Sequence, residues 1–158
     1  MFYAVKTNVY IDGFNLFHRA VKGTNLKWLN LDSLARRLAP HDEINRIRYF
    51  TAIVSARGDP GRPIRQRIYI RALETIPHLS VHYGQFKDRV RWRPLAKPVP
   101  GLPSMVEIID TEEKGSDVNL ATYLLSDGFN GDYEKAVVIS NDSDLAEPIK
   151  HVTALRGL

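Results

Sequence analysis

Four aspartates, Asp12, Asp117, Asp142 and Asp144, stand at points where the chain is expected to hand over to a helix. The sharpest case is Ala136-Val137-Val138-Ile139-Ser140-Asn141-Asp142-Ser143-Asp144, an apolar run ending in small polar residues and two closely spaced carboxylates. Leu145 to Leu155 follow with helical spacing, so the stretch reads as a buried strand, a tight turn and a helix starting near Ser143. Val9-Tyr10-Ile11 runs into Asp12-Gly13-Phe14-Asn15 in the same manner. In open α/β sheets ligands gather beyond the carboxyl ends of the strands, where both turns fall. If the first and last strands are neighbours, Asp12, Asp142 and Asp144 converge on one crevice. Asp117, opening the preceding helix, reaches the same place.

Carboxylates gathered within a few ångström raise one another's pKa and cannot all ionise unaided. A hard divalent cation resolves that conflict, and Mg²⁺ or Mn²⁺ suits an oxygen cage that retains several waters. Such a metal can polarise a phosphodiester and activate water. His18, His41, His78, His82 and His151 share no ligand spacing and offer no competing site. Each acid also has an ordinary local reading. Asp12-Gly13 is a common turn pair, Asn15 and Ser143 serve as caps, and Asp117 complements a helix dipole.

The elements that must position these groups follow from pattern. Lys6 to Ile11 reads as a central strand, and Phe14 to Val21 as a helix stopped by Gly23. Asn30 caps a helix whose inner face is Leu31, Leu34, Ala35 and Leu38, ended by Pro40. Ile44 to Val54 is the next strand. Asp59-Pro60 opens a helix reaching Ile76, with Ile64, Ile68 and Ala72 toward the sheet. Leu79 to Lys87 alternates as a strand, and Arg89 to Arg93 extends it or starts an excursion. Pro94, Pro98, Pro100 and Pro103 interrupt regular structure before a short return strand, Met105 to Asp110. The result is a hairpin-like basic arm around 88–110 on the sheet edge. Ser116 to Ser126 is a helix, Asp127 to Tyr133 a loop, and the last strand and helix complete the chain. Strands alternating with helices imply right-handed βαβ units, hence an α/β fold: a three-layer α/β/α sandwich with a mainly parallel central sheet.

With 158 residues the chain reads as a single domain. Apolar content of 44% and charged content of 25% are ordinary for a globular protein, and no apolar run approaches a membrane span. There is no cysteine, which excludes disulfides and thiolate zinc sites and makes a cytoplasmic location the default expectation. The net charge of +4 is uneven, because Arg57 to Lys97 holds ten basic and three acidic residues. A basic block flanked by acidic halves points to a polyanion held by one surface and processed by another.

Tyr10-Ile11-Asp12-Gly13-Phe14-Asn15-Leu16, Glu113-Lys114-Gly115-Ser116-Asp117-Val118-Asn119-Leu120-Ala121 and Val138-Ile139-Ser140-Asn141-Asp142-Ser143-Asp144-Leu145 together resemble the three signatures of the NYN domain. That family is a branch of the PIN-like metal-dependent ribonucleases. The resemblance implies a PIN-like fold and RNA cleavage dependent on Mg²⁺ or Mn²⁺. It places Asp12, Asp117, Asp142 and Asp144 in a metal pocket, with Asn15 as polar support for catalysis and Ser140 and Ser143 orienting carboxylates or phosphate. Asn141 stands where the family often has glycine. The closing strand usual after the last helix is absent, so either an edge strand is missing or the sheet is short.

Arg57, Arg62, Arg65, Lys87, Arg89, Arg91, Arg93 and Lys114 are candidates to contact nucleic acid, with Trp92 placed to stack on an unpaired base. The same arginines also read as a solvated helix face, and Trp92 as packing on the sheet edge. The expected activity is a metal-dependent endoribonuclease preferring single-stranded RNA, with DNA as a weaker candidate substrate. The alternative is a catalytically silent RNA-binding module. No membrane partner is expected, and a homodimer is compatible with the sequence.

Overall fold

A computed structural model of the chain describes residues 4–156, Arg156 by its backbone alone. In chain order the elements are β1 (Lys6–Asp12), α1 (Gly13–Leu16) running into a π turn (Phe17–Val21), α2 (Leu31–Leu38), β2 (Glu43–Thr51) and α3 (Gly61–Leu73). β3 (Leu79–Tyr83), β4 (Gln85–Pro94), β5 (Met105–Lys114), α4 (Ser116–Phe129) and β6 (Lys135–Ile139) follow, then a 3₁₀ turn (Ser143–Leu145) and α5 (Ala146–Arg156).

The sandwich packs around β1, whose Val9, Tyr10 and Ile11 are wholly buried. Alternation sends Val9 and Ile11 to one face and Tyr10 to the other, and helices cover both. Val9, Ile11, Ile47 and Tyr49 meet Leu31, Ala35 and Leu73 of α2 and α3. Tyr10 and Phe50 meet Leu120 and Leu124 of α4 and Val152 of α5. The central sheet has the order β3-β2-β1-β6 with every pairing parallel. This is the expected α/β/α sandwich, with the first and last strands side by side. Among the described residues β6 is one edge of the sheet, and no helix is long and apolar enough to cross a membrane.

The expected hairpin-like arm forms, but as a sheet of its own and not on the edge of the central one. β4 and β5 pair antiparallel from Gln85↔Lys114 to Pro94↔Met105 and form their own two-stranded sheet. The strand expected to run through Lys87 is broken at Gly84, whose N–H returns to the Thr51 carbonyl at 2.8 Å. A Cβ on Gly84 would lie 2.7 Å from the Lys114 carbonyl oxygen, so only glycine lets the two arm strands meet at the root. The return strand also extends past Asp110 to Lys114, and its Asp110 and Glu112 find a cross-strand partner in Arg91.

The inner face of α3 is not the expected one. Ile64 and Ile68 are 61% and 49% exposed and Ala72 is exposed, while Ile70 and Leu73 are buried. Gln66 fixes the rotation: its Oε1 accepts from the Val54 N–H at 2.8 Å and its Nε2 donates to the Ala52 carbonyl at 2.9 Å. The isoleucines line both sides of this helix, so periodicity alone could not choose between them. Leu38 of α2 is likewise half exposed, and α4 runs on through Asp127 to Phe129, where a loop was expected.

That extra turn has a structural purpose. Asp127 receives Nε and Nη2 of Arg48 at 2.7 and 2.8 Å and the Tyr10 hydroxyl at 2.8 Å. The Arg48 guanidinium also sits 4.3 Å above the Tyr123 ring. A buried charge pair satisfied this fully ties α4 to the sheet in one register.

Candidate functional site

β1 ends at Asp12, and the chain turns at once into α1. The Asp12 carboxylate, almost wholly buried, caps that helix by accepting from the Asn15 N–H at 3.0 Å. Its second oxygen accepts from the Asn15 side-chain amide and from the Ser140 hydroxyl, the latter at 3.0 Å. The sharp turn depends on Gly13, where a Cβ would fall 2.7 Å from the Tyr49 ring and 2.8 Å from the Phe50 carbonyl oxygen.

The neighbouring strand β6 supplies the second turn. Ser140 Oγ accepts from the Asp142 N–H at 3.1 Å while donating to Asp12, so one hydroxyl couples the two strand ends. Asp142 then caps the 3₁₀ turn through the Asp144 N–H at 2.9 Å. Asp117 stands in the first turn of α4. Just before it, Glu113 at the end of β5 accepts from the Ser116 hydroxyl at 2.9 Å.

These groups face one open cleft of about 410 Å³, lined by Asp12, Asn15, Glu113, Ser116, Asp117 and Asp142, with Phe14, Phe86 and Arg62 also on its walls. Desolvation and then the charges of Asp12, Asp142 and Glu113 push the Asp117 carboxyl up to about 6. Among the described residues, no three acidic or histidine side chains are already drawn close enough to hold a metal ion. Part of the reason is visible at Asp12, whose oxygens are taken up by Asn15 and Ser140. The donor chemistry nonetheless fits a hard divalent cation: all-oxygen, crowded with like charge, and open enough for retained water.

Of the expected site residues, Asp12, Asn15, Asp117 and Asp142 therefore share a cleft, and Ser140 braces it. Asp144 and Ser143 are exposed and do not line it. Among the expected nucleic-acid contacts only Arg62 lies on the cleft wall. Arg57 pairs with Asp88 at 2.8 Å, Arg65 with Asp59 at 2.5 Å, Arg91 with Asp110 at 3.3 Å and Lys114 with Glu112 at 2.9 Å. Arg93 pairs with Asp110 at 3.3 Å, while Lys87, Arg89 and Trp92 are exposed on the arm. Sequence reasoning missed Glu113, Phe14 and Phe86 as cleft residues. Glu113 was within reach, lying four positions before Asp117 in the same signature. Phe86 was not, because it reaches the cleft only through the fold of the arm, where its ring lies 5.4 Å from that of Phe14.

The sequence profile of the NYN domain matches residues 6–158. A curated relative, the 6-hydroxy-3-succinoylpyridine 3-monooxygenase of Pseudomonas putida (strain DSM 28022 / S16), is 29% identical over 95% of this chain and 56% of its own length. The chain thus spans a little over half the length of that relative. A solved structure of a protein of unknown function from Vibrio parahaemolyticus RIMD 2210633 is similar with a TM-score of 0.58 and 14% identity, over 99% of this chain and 80% of that one. That likeness bears on the fold alone.

Proposed function

This chain belongs to the NYN domain family, PIN-like and nuclease-like in kind, and from that premise we propose that it is a divalent-metal-dependent endoribonuclease acting on single-stranded RNA. The observation that carries the reading is the cleft at the ends of β1 and β6, where Asp12, Asp117, Asp142 and Glu113 face a common space. Asp12, Asp117 and Asp142 would hold Mg²⁺ or Mn²⁺, with Glu113 at the rim. The bound ion supplies positive charge to a phosphodiester oxygen and lowers the pKa of attacking water. Asn15 and Ser140 keep Asp12 in one orientation, which is the role of groups behind a metal ligand. Arg62 contributes a fixed positive charge to the phosphate in the same cleft. Asp144, exposed and outside the cleft, has no part in this reading.

The test is cleavage of a labelled single-stranded RNA in Mg²⁺ or Mn²⁺, in EDTA, and by Asp12→Asn. Metal-dependent cleavage lost in the variant is the expected result. Equal cleavage in EDTA, or full activity of Asp12→Asn, overturns the mechanism. Salt-dependent RNA binding with no turnover in either metal leaves an RNA-binding module instead, and a DNA strand of the same sequence tests the sugar.

A second reading draws on the Pseudomonas putida relative, which is named for monooxygenation of a substituted pyridine. The same cleft pairs two phenylalanines with Arg62, a combination suited to a small aromatic carboxylate. Hydroxylation of a hydroxypyridine carboxylate, measured as uptake of molecular oxygen with a reduced nicotinamide or flavin as electron donor, tests it. Absence of substrate-dependent oxygen uptake removes it.

A further inference from the structure

The arm looks like a basic finger in sequence, but its two strands sum to no net charge and carry opposite charge on their two faces. β4 carries four cations and one aspartate, and β5 carries four acids and one lysine. Opposed residues of an antiparallel pair share a face. Gln85, Lys87, Arg89, Arg91 and Arg93 therefore stand over Lys114, Glu112, Asp110, Ile108 and Val106. On that face Arg91 meets Asp110 and Glu112 at 3.3 and 3.4 Å, Arg93 meets Asp110 at 3.3 Å, and Lys114 meets Glu112 at 2.9 Å. With five cations against two acids, this face keeps a net positive charge despite those pairs.

The other face is different. It holds Phe86, Asp88, Val90 and Trp92 over Glu113, Thr111, Ile109 and Glu107. Phe86, Thr111 and Glu113 of this face line the carboxylate cleft, so the surface is continuous with the site. Outward from there Val90 and Trp92 are each 62% exposed and Ile109 is 58% exposed. Arg57 binds Asp88 and Thr111 on the same face, at 2.8 and 3.5 Å, and so neutralises one of its three carboxylates, Glu113 and Glu107 lying at its two ends. From Phe86 to Trp92 the strand covers about 20 Å.

We propose that the apolar face of the arm recognises an unpaired strand through its bases: the face bearing Phe86, Val90, Ile109 and Trp92 is a stacking track leading out of the cleft. The nature of the occupant rests on the nuclease reading above, because a strand cut in the cleft must leave it along an adjoining surface. Aromatic side chains accept any base on their flat faces, whereas double-stranded RNA keeps its bases stacked inside and cannot use such a track. Phe86 acts beside the scissile phosphate as a specificity-determining contact, and Trp92 holds a base farther out.

The experiment is equilibrium binding in EDTA, read by fluorescence anisotropy, so that no turnover is needed. The probes are a labelled single-stranded oligoribonucleotide, its duplex, and an oligomer of the same length carrying abasic residues. Wild type is compared with Trp92→Ala and Trp92→Phe across a salt series. The base-bearing single strand should bind about tenfold more tightly than either other probe, and Trp92→Ala should erase most of that difference. Trp92→Phe should restore it, and the slope of affinity against salt should not change, because stacking releases no counterions. Equal binding of the abasic oligomer, or an unaffected Trp92→Ala, overturns the track. So does sedimentation showing a dimer of wild type that Trp92→Ala disperses, since the face would then belong to a second copy. Base-dependent binding without metal-dependent cleavage sinks the nuclease reading and leaves the track standing; cleavage without base dependence does the reverse.

Discussion

Asp12 and His82 show how neighbours decide what a titratable side chain can do. Asp12 is held by three donors that fix the orientation of its carboxylate at the cleft. His82 sits against the Arg48–Asp127 pair, with Arg48 Nη1 3.2 Å and Ser80 Oγ 3.0 Å from its Nε2. Its ring stacks on Phe50 at 5.0 Å and lies 4.1 Å from Tyr123. Burial first, then the Arg48 charge, push the imidazole down to about 4, while the Asp127 carboxylate opposes the shift. Between its ordinary value of 6.5 and about 4 the folded ring stays neutral, whereas the unfolded chain takes up a proton. The unfolded state then binds more protons, so this group's contribution to stability falls as pH drops through that window. Discounted for partial exposure, the loss is on the order of 1–2 kcal/mol. Urea unfolding of His82→Gln from pH 7 to pH 4 should therefore lose less stability than wild type by about that amount. Parallel curves would show that the fold does not hold the His82 imidazole below its ordinary range.

At the scale of elements, the site is made by two strand-to-helix turns that depend on different devices. The β1–α1 turn works because Gly13 lets the chain pass against Tyr49 and the Phe50 carbonyl, neither of which can yield. The β6 turn works because Ser140 bridges to Asp12. Gly13→Ala should cost about 1–3 kcal/mol by overpacking, seen as a thermal midpoint several degrees lower. It should also reduce RNA cleavage more than the lost stability explains, because Asp12 is the adjacent residue. Wild-type midpoint and activity would mean that β1 or β2 shifts to make room.

For the molecule as a whole, the arm and the sandwich are separate constructions. Among the described residues β4 and β5 pair only with each other, and the sandwich buries its core without them. Replacing residues 89–110 with an Asn-Gly turn between Asp88 and Thr111, which oppose one another, keeps Phe86 and Glu113 at the root. The shortened protein should melt within about 2 °C of wild type, since few buried contacts are lost. Its affinity for single-stranded RNA should fall about tenfold with the loss of Trp92. A collapse in thermal midpoint would show that the arm is part of the fold and not an appendage.

Local pattern alone determined the nature of most elements and the identity of the central acids. The run into Asp12, the run into Asp142 and the helix opening at Ser116 are written in neighbours only a few positions apart, and their order carried the family resemblance. What local pattern could not decide was which way things face, because that depends on partners far along the chain. Gln66 turns α3 by reaching Ala52 and Val54, so Ile64 and Ile68 point outward. Asp110 and Glu112 pair with Arg91 and Arg93 about twenty positions away, and a basic block in sequence becomes a hairpin with cations gathered on one face and carboxylates on the other. Glu113 and Phe86 enter the cleft, and Asp144 stays out of it, for the same reason. Periodicity is a property of neighbours in sequence, whereas charge compensation and packing are properties of neighbours in space.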